Sequence, residues 1–97
     1  MSPITPFLKA LISAPGLSGH ETPVRRIIED QWRPLVDELS VSPLGSLHGL
    51  KRGHTPASRP SLAILAHMDA VGLIVTRITD GFLHVTEIGG VDARILP

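Results

Sequence analysis

Leu62-Ala63-Ile64-Leu65-Ala66-His67-Met68-Asp69 is an unbroken apolar run that ends on an imidazole and a carboxylate. Five apolar residues in succession, bounded by polar ones, form the pattern of a strand buried on both faces of a sheet. In open α/β sheets, ligands collect in the crevice at the carboxyl ends of such strands, which is where His67 and Asp69 fall. Residues two apart in extended backbone point to the same side, so the imidazole and the carboxylate share a face. The carboxylate is then placed to hold the imidazole tautomer for a metal ion. A His-x-Asp triplet is short, however. It also reads as a packed strand-end histidine followed by an aspartate that opens a turn before Gly72.

Working back from this run, Gly53 to Pro60 has two prolines, a glycine and no periodicity, which predicts an exposed loop. Before it, Leu39 and Val41 alternate with serines. After Pro43-Leu44-Gly45-Ser46 a second short run carries Leu47 and Leu50, which predicts a hairpin. Further back, Val24, Ile27, Ile28 and Trp32 line one face of a helix whose other face holds Arg25, Arg26, Glu29 and Asp30. Pro34 ends or bends that helix, and Ser18-Gly19-His20-Glu21 fits a capping box that would start it. A first short helix follows Thr5-Pro6 with Phe7, Leu8, Leu11 and Ile12 at helical spacing, until Ala14-Pro15 stops it. On the other side of the run, Leu73–Ile78 and Phe82–Thr86 flank Asp80-Gly81, the dipeptide of a tight hairpin. The chain closes on Ile88 to Pro97, which carries no helix cap or polar tail and reads as cut in mid-element.

Bulk properties narrow the function. The 97 residues suffice for one small domain, and a composition that is 42% hydrophobic and 19% charged is that of a globular chain. Nine Lys plus Arg balance nine Asp plus Glu, so no net field attracts polyanions, and the loop around Lys51, Arg52 and Arg59 lacks the interleaved aromatics of a nucleic-acid platform. Neither nucleic acid nor membrane is an expected partner, since no apolar run nears the roughly 20 residues that span a bilayer. With no cysteine, any metal must be held by His and carboxylate, and the chain is expected in the cytoplasm.

Other chemistry-bearing residues are weaker candidates. His20, His48, His54 and His84 fall in a helix start, a hairpin, a loop and a second hairpin, and no two stand at the helical spacing that puts two imidazoles on one metal. Ser18 lacks the glycine two residues on that a nucleophile elbow needs. Gly89-Gly90 has no phosphate-loop spacing and reads as a turn.

Taken in order, four motifs resemble the M42 family of metallo-aminopeptidases, the glutamyl-aminopeptidase and TET-like enzymes once also described as endoglucanases. They are Ala14-Pro15-Gly16-Leu17-Ser18-Gly19-His20-Glu21, Pro43-Leu44-Gly45-Ser46, Ala66-His67-Met68-Asp69-Ala70-Val71-Gly72 and Ile88-Gly89-Gly90-Val91-Asp92. Two positions depart from the family pattern: Ala70 stands where an acidic residue is usual, and Ser46 where asparagine is.

The resemblance implies an α/β fold. Residues 1–70 would be the N-terminal part of a dinuclear-metal exopeptidase domain of the phosphorylase/hydrolase-like type, and residues 71–97 the truncated beginning of an inserted β-barrel-like dimerisation domain. It implies two divalent ions, zinc or cobalt, with His67 ligating one of them and Asp69 as the catalytic-site residue that orients it. The family's remaining metal carboxylates, second metal histidine and general-base glutamate come later in the chain, so these residues alone would hold at most one ion weakly and be inactive. The expected substrate is a peptide cleaved at its N-terminus, and the expected assembly a homo-oligomer, from a dimer to a large shell. Two rival readings are a non-catalytic binding or assembly module derived from the peptidase and a polysaccharide hydrolase, although the latter generally needs two opposed carboxylates.

Overall fold

In the computed structural model, which describes residues 4–55 and 58–96, the chain begins with α1 (Ile4–Ser13) and α2 (Thr22–Trp32). Phe7 and Leu11 of α1 are half-buried against α2, whose Val24, 5% exposed, is the one buried hydrophobic residue among the described residues. Along α2, the half-buried Arg25 Nε lies 3.0 Å from Glu29 Oε1, an i,i+4 pair of the kind that supports a helix by about 0.2–0.5 kcal/mol. The helix stops as Pro34 predicts: the amides of Leu35 and Val36 both turn back to the carbonyl of Trp32, closing the last turn ahead of the next strand.

The start of α2 differs from the capping-box expectation. Ser18 and Gly19 instead occupy a turn in which the His20 amide donates to the Leu17 carbonyl at 2.7 Å. Gly19 has φ +86° there, the type II pattern that glycine adopts without strain. The Glu21 carboxylate accepts the Gly19 amide at 2.8 Å and is therefore committed to the turn. The helix begins at Thr22, with Pro23 in its first turn, where the missing N–H costs nothing.

Two antiparallel hairpins follow. β1 (Glu38–Val41) pairs with β2 (Leu47–Leu50), Glu38 opposite Leu50 and Val41 opposite Leu47. Asp37 clasps the open end: its amide donates to the Leu50 carbonyl, and its carboxylate accepts the Arg52 amide at 2.6 Å. β3 (Gly72–Thr79) pairs with β4 (Phe82–Ile88) through Asp80 and Gly81, at φ 51° and 80°, the positive dihedrals of a type I′ turn. A bulge at Thr76 shifts the register, and the Thr76 hydroxyl donates to the His84 carbonyl. A short 3₁₀ turn, Ala93–Ile95, is capped by Asp92, whose carboxylate accepts the Arg94 amide and pairs with its guanidinium.

The run Leu62–Ala66 corrects the sequence expectation. It belongs to no strand, and Leu62, Ile64 and Leu65 are 85–90% exposed. A strand exists only by pairing, and the four strands of the described residues pair among themselves as two separate hairpins, leaving this segment without a ladder. The loop expected over residues 53–60 carries no helix or strand where it is described; Pro56 and Ala57 lie outside the described residues, as does Pro97 of the closing segment.

Candidate metal centre

Immediately after the exposed apolar run, the chain is caught by α2 and the segment that precedes it. The Ala70 amide donates to the Gly16 carbonyl at 2.7 Å, and Leu17 forms a parallel bridge with Ala70. This is the one parallel pairing among the described residues. The residues upstream of it, His67 to Asp69, form one wall of a groove of about 340 Å³ whose other wall is helical, with Leu8, Leu11, Val24 and Ile28.

His67 and Asp69 meet as the alternation of extended backbone requires. His67 Nδ1 lies 3.0 Å from Asp69 Oδ1 and 3.2 Å from the Asp69 carbonyl oxygen. Both neighbours can only accept, so in the neutral imidazole Nδ1 carries the proton and Nε2 the lone pair. The His67 side chain is 86% exposed, so Nε2 is not spent on packing. A carboxylate on one ring nitrogen with the other nitrogen free is the arrangement in which histidine binds a metal ion.

The donor set fits one ligand of a larger site. Among the described residues, no group of three or more His, Asp or Glu side chains converges for a metal ion. His20, His48, His54 and His84 are all exposed and stand apart: His48 lies opposite Ser40 in the first hairpin, and His84 opposite Arg77 in the second. Ala70, in the position where an acidic residue is usual, contributes its main-chain N–H, a contact indifferent to side-chain identity.

Sequence reading missed Gly16 and Leu17 as residues that touch this segment. A Cβ on Gly16 would sit 3.3 Å from Val24 Cγ1, and one on Gly72 would collide with Leu17 Cδ2. Both glycines are therefore places of close approach, Gly16 against α2 and Gly72 against Leu17, and no local pattern in the sequence joins the two segments.

A family model described as M42 glutamyl aminopeptidase matches residues 45–97. The chain is 37% identical over 87 residues to a lysyl aminopeptidase of Pyrococcus furiosus, an alignment that covers 88% of this chain and 24% of the relative. Among solved structures, it superposes on a TET aminopeptidase from the archaeon Thaumarchaeota archaeon SCGC AB-539-E09 with a TM-score of 0.86 at 32% identity, over 98% of this chain and 26% of that one. It also superposes on an endoglucanase from Thermotoga maritima with a TM-score of 0.82 at 46% identity, over 93% of this chain and 29% of that one. The chain thus spans about a quarter of the length of the curated relatives it matches.

Proposed function

Since the chain belongs to the M42 glutamyl aminopeptidase family, we propose that His67 is a ligand of a two-metal centre in an enzyme that removes residues from the N-termini of peptides, and that Asp69 orients it. The observation that carries this is the His67–Asp69 contact: the carboxylate holds the Nδ1 proton, which aims the Nε2 lone pair outward from a chain segment tied down at Ala70. Divalent cations bound there, zinc or cobalt, would supply Lewis acidity toward the scissile carbonyl and make water a nucleophile at neutral pH. The remaining ligands and the proton-accepting base would come from residues beyond these 97. Residues 1–70 belong to the catalytic domain in this reading and 71–97 to the start of an inserted β domain. The complete protein acts in the cytoplasm as a homo-oligomer.

The test is hydrolysis of aminoacyl-nitroanilides by the full-length protein. Activity should vanish on chelation, return with Zn²⁺ or Co²⁺, and fall about 10²- to 10³-fold in His67→Ala, the scale on which removing one charge-stabilising contact acts. Chelator-resistant turnover overturns the proposal. A second reading, polysaccharide hydrolysis, is favoured by the endoglucanase neighbour. Against it, Asp69 is turned onto an imidazole rather than set across a cleft from a second carboxylate. Release of sugar from cellulose by the same preparation, unaffected by chelator, would decide for it.

A further inference from the structure

We infer that Gly16 and Leu17 form a positioning brace for the metal-ligand segment, and that Leu17 sets the affinity of the ion held by His67 without touching it. The inference rests on the reading of His67 as a ligand. Two contacts carry it, at alternate residues of the segment. Ala70 donates its amide to the Gly16 carbonyl. Gly72 lies under the Leu17 side chain, which a methyl group there would displace.

The brace holds Ala70 through its amide and meets Gly72 at its Cα, on alternate residues of an extended segment, while the side chains of His67 and Asp69 remain available to each other. The brace is itself anchored, because Gly16 backs onto Val24, the buried centre of the helix pair. Upstream, residues 59–69 have no strand pairing, so this tie is the nearest fixed point for the imidazole. Ligand geometry tolerates little displacement, and outer contacts that hold a ligand in place are worth about 10- to 100-fold in metal affinity.

The experiment uses the full-length protein loaded with Co²⁺. Affinity is read by chelator competition and coordination by the visible absorption band, for wild type, Leu17→Ala, Leu17→Met and His67→Ala. Leu17→Ala should retain its stoichiometry but bind one ion about 10-fold more weakly with a shifted band, and Leu17→Met, which keeps the volume, should restore both. A Leu17→Ala protein that melts earlier yet binds Co²⁺ with wild-type affinity and spectrum overturns the brace. If Leu17→Ala does not fold, Gly16→Ala carries the same test, since its Cβ must push on Val24; unchanged affinity and spectrum there also overturn it. His67→Ala that still binds both ions as wild type overturns the underlying ligand reading instead, whatever the Leu17 variants do.

Discussion

At the scale of single residues, two carboxylates are set by their neighbours. Asp69 accepts from His67, and removing its side chain leaves Nδ1 only the Asp69 carbonyl at 3.2 Å. Asp69→Ala should therefore weaken metal binding in the full-length protein about 10- to 100-fold without abolishing it, as isothermal titration with Zn²⁺ would read. Asp37 is the second case. The Arg52 amide bonded to its carboxylate holds its carboxyl below the ordinary value; desolvation opposes this, and the charges of Lys51, Arg52 and His54 lower it further by lesser amounts. A carboxylate with a depressed folded pKa stabilises the hairpin above pH about 4, where the unfolded chain is also ionised, and that contribution is lost as the pH falls through the lower folded value. The Arg52 amide resonance should therefore titrate with a midpoint below about 4 in wild type and show no such transition in Asp37→Asn. The His67–Asp69 contact was legible in the sequence because it depends only on the alternation of an extended backbone. The clasp on Asp37 was not, because it joins residues on either side of a hairpin whose register no local pattern specifies.

At the scale of elements, what proved legible was local. α1, α2 and both hairpins follow from short-range periodicity, from Pro34 and from Asp80-Gly81, although α1 already includes Ile4 and Thr5, ahead of the start that Thr5-Pro6 signals. The start of α2 was misread because Ser-Gly-His-Glu satisfies two patterns at once, and the turn at Gly19 took the glutamate that the capping box needed. Leu62–Ala66 failed for a different reason: whether an apolar run becomes a strand depends on neighbours that are not adjacent in sequence. The same non-locality hid the packing of α2 on the first hairpin. Gly49 of β2 lies beneath Trp32, and a Cβ there would be 3.0 Å from the indole Cε3 and 3.1 Å from Val36 Cγ1. Gly49→Val should therefore push the indole off the hairpin and destabilise by about 1–3 kcal/mol, the usual cost of overpacking. Trp32 is the only tryptophan in the chain, so a red-shifted emission and a lower denaturant midpoint would report it directly, and unchanged emission would show that the helix does not rest there.

At the scale of the whole molecule, the surface accounts for how these 97 residues should behave by themselves. Their accessible area is 8252 Å², whereas a compact monomer of this mass exposes about 5,400 Å² and its unfolded chain about 15,000 Å². Less than half of the unfolded surface is therefore covered, below the roughly 60% at which even a 60-residue domain is marginal. The Cα radius of gyration, 18.2 Å, likewise exceeds the about 12–13 Å of a compact chain this long. Part of the uncovered area is apolar and leads into the candidate site: Leu62, Ile64 and Leu65 run directly into His67, and Leu8 and Ile12 are exposed on the helix side. Unpaired backbone carrying apolar side chains is a template for pairing with another chain. Prepared in isolation, residues 1–97 should therefore self-associate, elute in light-scattering chromatography above the 10.4 kDa of one chain, and bind a hydrophobic dye. They should not turn over aminoacyl-nitroanilides, because a two-metal centre needs ligands on both ions and the described residues bring together one histidine and one carboxylate. Replacing Leu62, Ile64 and Leu65 together with threonine should reduce the association without restoring activity. A monomer with a sharp cooperative melt would show that the exposed run folds back onto the groove, and turnover by the isolated chain would show that the site is complete within it.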